Sequence, residues 1–461
     1  MGAHLPLFLQ GFSLFREGKP FYRKLFRLAG PIAFQNLLVS SLAVVDTLMV
    51  GQLGAVPIAA VGLGGLFFFL TTLFYYGVAS GAAVFVSQFR GSGDVKGIRR
   101  TIGMALVFTE AGGLLYSCFA IAAPGVIMRI FSPDPAVIEI GKVYLRITGF
   151  SFLFTGVTMT YSLVLRSLNK AKLPLIASVI VFFINTVLNY ILIFGHLGFS
   201  PMGVKGAAVA TTVSRFLEMI IILILIYRRK NEAAAGIREL LDFSKKHIKR
   251  FFKTTAPVIM NEVGWAIGAA LIKMIYARMG TDIIAAVNIT ETVGNLLFSF
   301  FIGSSNACAI IIGNKIGERD TGTARRYAYE FTVLSVILGF FLGLILAGLA
   351  LLLPSAFKVS GETRQMVMLI LFIQAFFLPA VSLNLHYIIG ILRGGGDTTF
   401  AFMMDLVITW IVGIPLAYLI GLVFHGPIYL IIFLVGIQEV IKALIGLFRM
   451  ISRKWIHNLT E

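Results

Sequence analysis

Long apolar runs alternate with short polar breaks along the whole 461-residue chain. Read between the breaks, they fall at 28–50, 57–89, 98–123, 136–165, 173–195, 202–227, 252–278, 283–314, 324–353, 362–392, 399–421 and 427–449. A helix needs about 20 apolar residues to cross a hydrocarbon core. Several runs are longer than that and require tilt or ends that project from the bilayer. The pattern predicts an all-α integral membrane protein with twelve transmembrane helices.

Composition agrees. Hydrophobic residues make up 58% of the chain and charged residues 13%, against about 25% charged in a soluble domain. Mean hydropathy is +0.91. These values exclude a soluble globular protein, a disordered chain, a secreted disulfide scaffold and a collagen. Cys118 and Cys308 stand in apolar runs without metal spacing and read as packing residues. The N-terminus lacks the short apolar core and small-residue cleavage site of a signal peptide.

The net charge of +18 suggests nucleic acid only until the cations are placed. Arg16, Lys19, Arg23, Lys24 and Arg27 precede the first span, and Arg90, Lys96, Arg99 and Arg100 follow the second. Arg166, Lys170 and Lys172 follow the fourth, and a dense cluster occupies roughly 228–253. Lys315, Arg319, Arg325 and Arg326 follow the eighth, Arg393 ends the tenth, and Arg449, Arg453 and Lys454 close the chain. The alternate loops carry little beyond Arg129, Lys205, Arg278, Lys358 and Arg364. Cations collect in cytoplasmic loops. The asymmetry therefore predicts a multi-pass protein of the cell membrane, both termini cytoplasmic, with lipid and not nucleic acid as its surroundings.

The two halves repeat. Pro31 matches Pro257, Leu53-Gly54 matches Met279-Gly280, and Ala59-Ala60-Val61 matches Ala285-Ala286-Val287. Gly91, Asp94 and Arg99-Arg100 match Gly317, Asp320 and Arg325-Arg326, all at an offset of 226. Leu165-Arg166 matches Leu392-Arg393 at 227, and Glu218 matches Glu439 at 221. Six spans per repeat make the halves parallel, related by a pseudo-two-fold along the membrane normal, the arrangement in which substrate binds between repeats. The expected organisation is an N-lobe (1–227), a cytoplasmic linker (228–250) and a C-lobe (251–461). The linker is expected to form a short helix on the inner leaflet or a solvated tether. No Walker A pattern occurs, so uphill movement requires an ion gradient.

A charge at the centre of a span costs roughly 2.5–3.5 kcal/mol, which makes each such residue a candidate for function. Residues that break the repeat are the better candidates. Asp46 is matched by Ile272, and Asn185 and Asn189 by Val412 and Leu416. The two Asn lie four apart and share a helix face. Thr211 and Thr212 begin the sixth span. One carboxylate with several neutral oxygens suits Na⁺ or a proton-binding Asp. In the second half, Glu262 is matched by Asn36, Glu291 by Gly65 and Asp405 by Ser178. Lys273 stands ~16 Å along the helix from Glu262 on the same face, with Glu291 as its candidate partner. Glu218 and Glu439, present in both halves, read as architectural, and Glu110 is ambiguous.

The chain resembles the multidrug and toxic compound extrusion (MATE) transporters. The resemblance rests on Gly30-Pro31, Val45-Asp46-Thr47, Leu53-Gly54, Asn185…Asn189 with Ile193-Phe194-Gly195, Gly206-Ala207-Ala208, and Leu392-Arg393-Gly394 through Gly396-Asp397-Thr398. It implies two six-helix lobes and an antiport in which Na⁺ or H⁺ enters as a small organic (cationic) compound leaves, with no cofactor, no catalysis and a monomeric chain. It also implies ion coupling at Asp46, Asn185, Asn189, Thr211 and Glu262, with Asp46, Asn185 and Asn189 as the possible Na⁺ ligands. Where relatives carry a tenth-helix Asp, this chain has Ser382, with Asn384 nearby. Lys273, Glu291, Asn384 and Asp405 form a possible C-lobe polar site. The alternative is a lipid-linked saccharide flippase, which lines its cavity with Arg and Lys. The cations counted within spans are Lys273, Arg146 and Arg215, a sparse set that favours cation export. A membrane enzyme would need clustered His or metal ligands, and the six His residues are scattered.

Overall fold

The computed structural model describes residues 17–356 and 359–460. Arg16 and Lys358 lie outside them. The described residues are almost entirely helical and form no strand; Gly396 and Ile456 make an isolated bridge. The first half holds α1 (Lys19–Gly51), α2 (Ala55–Ser92), α3 (Val95–Ala122), α4 (Pro124–Phe131), α5 (Pro135–Thr148), α6 (Ser151–Ser167), α7 (Lys172–Phe194) and α8 (Val204–Arg228). A single turn, α9 (Ile237–Leu240), leads to α10 (Lys245–Met279), α11 (Thr281–Gly317), α12 (Thr321–Leu352) and α13 (Gly361–Leu385). The last elements are α14 (Thr398–Ile408), α15 (Ile414–Tyr418) and α16 (Ile428–Ile451).

Among the described residues, eleven helices are long and apolar enough to cross a membrane, counting Thr398–Val423 as one, and α5 with α6, bent by 52°, makes the twelfth when the pair is taken as one span. Sequence reading made the stretch 136–165 one continuous helix. It breaks at Gly149-Phe150, where Ser151 Oγ donates to Thr148 O at 2.6 Å. Small residues and side chains that compete for the helix ladder are common causes of kinks. The run 399–421 is likewise interrupted, by π turns at Thr409–Gly413 and Leu419–Val423 around Pro415, which has no N–H to give. Large apolar side chains cover the outer faces, Phe26, Ile130, Phe376 and Phe448 among them. An apolar exterior of this extent marks a lipid-facing surface.

Contacts divide the chain into two compact units. One comprises Met1–Ala33, Ser87–Ser92 and Met260–Glu461; the other comprises Phe34–Val86 and Gly93–Ile259. The boundaries cut α1, α2 and α10, and the repeat explains why. In the first unit a Cβ on Gly303 would stand 2.9 Å from Ala29 O and 2.8 Å from Ala33 Cβ, so α11 packs on the start of α1. In the other, a Cβ on Gly77 would stand 2.8 Å from Ile259 Cα, so α2 packs on α10. Gly77 and Gly303 are repeat equivalents, as are Ala33 and Ile259. Each half's second helix thus holds the opening of the other half's first helix.

The helix ends that carry the clearest repeat motif meet reciprocally. A Cβ on Gly91 would lie 2.0 Å from Asn314 O, and one on Gly317 would lie 1.9 Å from Gln88 O. Gln88 and Asn314 are again equivalents at 226. Three residues beyond each glycine an Asp caps the next helix: Asp94 Oδ1 accepts from Gly97 N at 2.9 Å, and Asp320 Oδ1 from Thr323 N at 3.0 Å. The shared Gly and Asp are thus explained by close backbone approach and helix capping.

The segment after α8 is neither an amphipathic helix nor a free tether. Its acidic residues are tied to the unit it follows: Glu239 to Arg99, Glu232 to Lys170, and Asp242 to both Nη2 (2.6 Å) and Nε (3.0 Å) of Arg100. The Arg100 guanidinium holds the Asp242 carboxyl below its ordinary range. Gly103 lets the backbone at Leu240 lie directly on α3.

Gly91→Ala and Gly317→Ala are expected to destabilise the protein by about 1–3 kcal/mol or more, because a rigid carbonyl occupies the space of the new methyl. Gly348→Ala, where a Cβ would meet nothing within 4 Å, should leave the melting temperature in detergent unchanged or higher.

Candidate functional site: buried polar networks

In the first half, α1 and α7 bring Asp46 and the two Asn together. Asn189 Nδ2 donates to Asp46 Oδ1 at 2.6 Å and to Asn185 Oδ1 at 2.8 Å. Both Asn are buried, and Asp46 is half-buried. The spacing of four residues on α7 puts one amide above the other, so a single donor group reaches both acceptors. Asn189 Oδ1 is buried and has no hydrogen-bond partner among the described residues. Thr211, on α8, is half-buried and is not hydrogen-bonded to this trio; its neighbour Thr212 caps the backbone at Ile147 O and Ala208 O. The trio offers oxygen ligands of the kind a hard cation takes. Turning the Asn189 amide would exchange its donor for the unsatisfied oxygen and leave three oxygens facing one point.

A second chain runs deeper in the same unit. Arg166 Nη2 donates to Gln35 Oε1 (2.7 Å), Gln35 Nε2 to Ser178 Oγ (3.0 Å), and Ser178 Oγ to Glu218 Oε1 (3.1 Å). Arg215 Nη1 completes it on Glu218 Oε2 at 2.9 Å. Arg166, assigned to a loop by the charge pattern, is buried inside the bundle.

The other half repeats this chain with different chemistry. Arg393 Nη2 donates to Asn261 Oδ1 (3.0 Å), and Asn261 Nδ2 to Asp405 Oδ2 (2.7 Å). Lys442 then bridges Asp405 Oδ1 (2.8 Å) and Glu439 Oε1 (3.3 Å). Gln35, Arg166, Ser178 and Glu218 are the repeat equivalents of Asn261, Arg393, Asp405 and Glu439. Ser178 can donate to Glu218; an aspartate cannot donate to a glutamate, and two facing carboxylates repel. Lys442, whose equivalent is Ile221, supplies the charge that this exchange demands. Arg393 also binds Glu262 at 2.7 Å, and Asn384 Nδ2 donates to Glu439 Oε2 at 2.8 Å.

The predicted second-half residues therefore part company. Asn384 and Asp405 belong to the buried chain, reached through Glu439 and Lys442. Asp405 is buried. Glu262 is engaged by Arg393. Lys273 and Glu291 pair with each other at 2.6 Å and remain nearly half exposed. Sequence reasoning missed Lys442, which stands inside the last helix, and took Arg393 for a loop charge. A lysine midway along an apolar run, three residues after a glutamate, was the available signal.

The MatE family model matches the chain twice, over residues 31–191 and 257–419. The chain belongs to the MatE family. The two matches begin 226 residues apart, the register of the repeat. The uncharacterized transporter YisQ of Bacillus subtilis is 25% identical over 86% of this chain and 87% of its own length. The probable multidrug resistance protein NorM of Thermotoga maritima is 26% identical, covering 88% of each chain. A solved structure of a variant of the Vibrio cholerae MATE transporter VcmN superposes with a TM-score of 0.85 at 18% identity, covering 94% of this chain and 98% of that one. A MATE structure in complex with MaL6 gives 0.84 at 17%, covering 94% and 96%. Likeness at such identity establishes the fold. MatE membership makes the chain a multi-pass membrane transporter of a family that is not an enzyme family.

Within this MatE chain, removing the Lys442 ammonium leaves Asp405 and Glu439 buried without their shared cation. Lys442→Met is expected to cost about 3–5 kcal/mol, read as a lower melting temperature in detergent. The double change Lys442→Met with Asp405→Ser removes one of the two stranded carboxylates and restores the serine link, and should recover part of that loss.

Proposed function

We propose that this protein is a secondary antiporter that exports small organic cations in exchange for Na⁺ or H⁺, with Asp46 as the coupling carboxylate. The observation that carries the reading is the Asp46–Asn189–Asn185 trio: one carboxylate at membrane depth, held by a single amide, beside a buried oxygen with no partner. Multidrug resistance relatives of the same family support the substrate class. The location is the cell membrane, with both termini in the cytoplasm.

The sequence of events follows from charge. With Asp46 ionised, the first half carries a half-buried negative charge that favours an organic cation. Arrival of H⁺ or Na⁺ at Asp46, with Asn185 and Asn189 as further oxygen ligands for Na⁺, cancels that charge. The state that binds the cation is then no longer favoured, and the equilibrium moves toward the one that releases it. Ligand and coupling ion compete for the same compensation, which makes the exchange obligatory. The flippase alternative gains no support from the additional cations: Arg166, Arg393 and Lys442 are all engaged by amide or carboxylate oxygens.

Asp46→Asn is expected to insert and fold but to lose ion-driven efflux of a fluorescent cation from proteoliposomes. Asn189→Ala, which keeps the carboxylate and removes its donor, should retain efflux with a changed dependence on the driving ion. Wild-type efflux by Asp46→Asn would refute the assignment.

A further inference from the structure

Glu110 lies on α3, and neither the repeat nor the Asp46 trio accounts for it. Its Oε1 is buried and has no hydrogen-bond partner among the described residues. The close approach of α6 encloses that oxygen: a Cβ on Gly156 would stand 2.6 Å from it. Tyr75, on α2, closes the same space. Its ring lies 3.5 Å from the same point at Gly156, and its hydroxyl would lie 2.9 Å from a Cβ on Gly113. Gly113 is one turn along α3 from Glu110, on the same face. Tyr75 is fully buried, and its hydroxyl also has no hydrogen-bond partner among the described residues. All of these residues belong to one compact unit.

Both polar groups are additions to the repeat. At the register of 226, Val336 stands for Glu110 and Phe301 for Tyr75. Phe301 is as deeply buried as Tyr75, so the second half packs the equivalent place with neither a carboxyl nor a hydroxyl. The surroundings of Glu110 bring no positive charge to it. The ionisable groups on the faces packed there are the phenols of Tyr75 from α2 and Tyr116 from α3 itself. From α6 come Gly156 and Thr160, whose hydroxyl lies 3.3 Å from that of Thr109. No lysine or arginine pairs with Glu110 among the described residues. An ionised carboxylate placed there has no partner to offset its loss of water, whereas a protonated carboxyl carries no charge to offset.

We propose that Glu110 is a proton-binding site, occupied in this packing, with Tyr75 as the positioning residue whose hydroxyl donates to the carboxylate once the proton leaves. The ligand is H⁺ and not a metal ion: a hard cation takes about six oxygens, and one carboxyl with one phenol supplies fewer. The step is the carboxyl of Glu110 giving H⁺ to water and keeping the bonding electrons as the carboxylate. Glu110 is half-buried as a whole, and its open side is the way out for the proton. The site is separate from the Asp46 trio and does not depend on coupling there.

The test is infrared spectroscopy of the full-length protein in lipid vesicles, with no ion gradient and no transported compound, following the carbonyl stretch of protonated carboxyl groups as the pH is raised. The wild type is expected to show a component that Asp46→Asn keeps and Glu110→Gln lacks. Tyr75→Phe keeps the ring and removes the donor to the carboxylate. The component should then persist to higher pH, by about one unit or more, the scale of one hydrogen bond to a charged group. Gly156→Ala sets a methyl against the far end of a flexible side chain, turns the carboxyl toward its open side, and should let it ionise at lower pH. An unchanged spectrum in Glu110→Gln, or a midpoint that neither Tyr75→Phe nor Gly156→Ala moves, would overturn the proposal. Because nothing is transported, failure here leaves the antiport reading intact, and failure of antiport leaves this result intact.

Discussion

A carboxylate held inside a membrane bundle must be met by a cation, a proton or hydrogen-bond donors, because taking it out of water costs several kcal/mol. Most of the interior polar architecture of this chain follows from that constraint. Each half threads a chain of polar side chains through its helices, and in each the arginine after the fourth span of the repeat is drawn into the bundle to serve it. Where Ser178 becomes Asp405, the added charge brings Lys442 with it. At Asp46 the amide of Asn189 donates the hydrogen bond, with Asn185 behind it, and the nearest cation, Arg215, is engaged in an ion pair with Glu218. On the function proposed above, that difference separates a structural network from the coupling site.

The repeat is the second organising fact. Reciprocal contacts at Gly91 and Gly317, and at Gly77 and Gly303, show that equivalent residues do equivalent work. Divergence is then informative. An apolar residue replaced by Asp46, or Ile221's equivalent replaced by Lys442, has no architectural role to inherit from its twin. The first half keeps a neutral serine link, with Asp46 on a separate cluster; the second half accumulates charge.

Much of the fold was legible in the sequence, since hydrophobic run length and loop charge act through the bilayer and need no tertiary detail. The twelve spans and the register of 226 were visible for that reason. The break at Gly149 was not, because nothing in an apolar run distinguishes one long tilted helix from two bent ones. The Asp46, Asn185 and Asn189 cluster was readable from helical spacing and broken symmetry. The inward turn of Arg166 and Arg393 was hidden because a basic residue near a span end looks the same whether it snorkels outward or is claimed by a buried acceptor, and the role of Lys442 was hidden because its partner Asp405 lies on another helix. Which carboxylate pairs with which cation depends on how helices distant in sequence meet.

The claim at the centre of this account is that an organic cation and a coupling ion compete to compensate one half-buried carboxylate, Asp46. Its most direct test is to add tetraphenylphosphonium to concentrated wild-type protein in weakly buffered detergent while recording pH and free Na⁺ together. The account predicts release of about one proton or one Na⁺ for each organic cation bound, a release absent in Asp46→Asn. Saturating binding with neither ion released would contradict it.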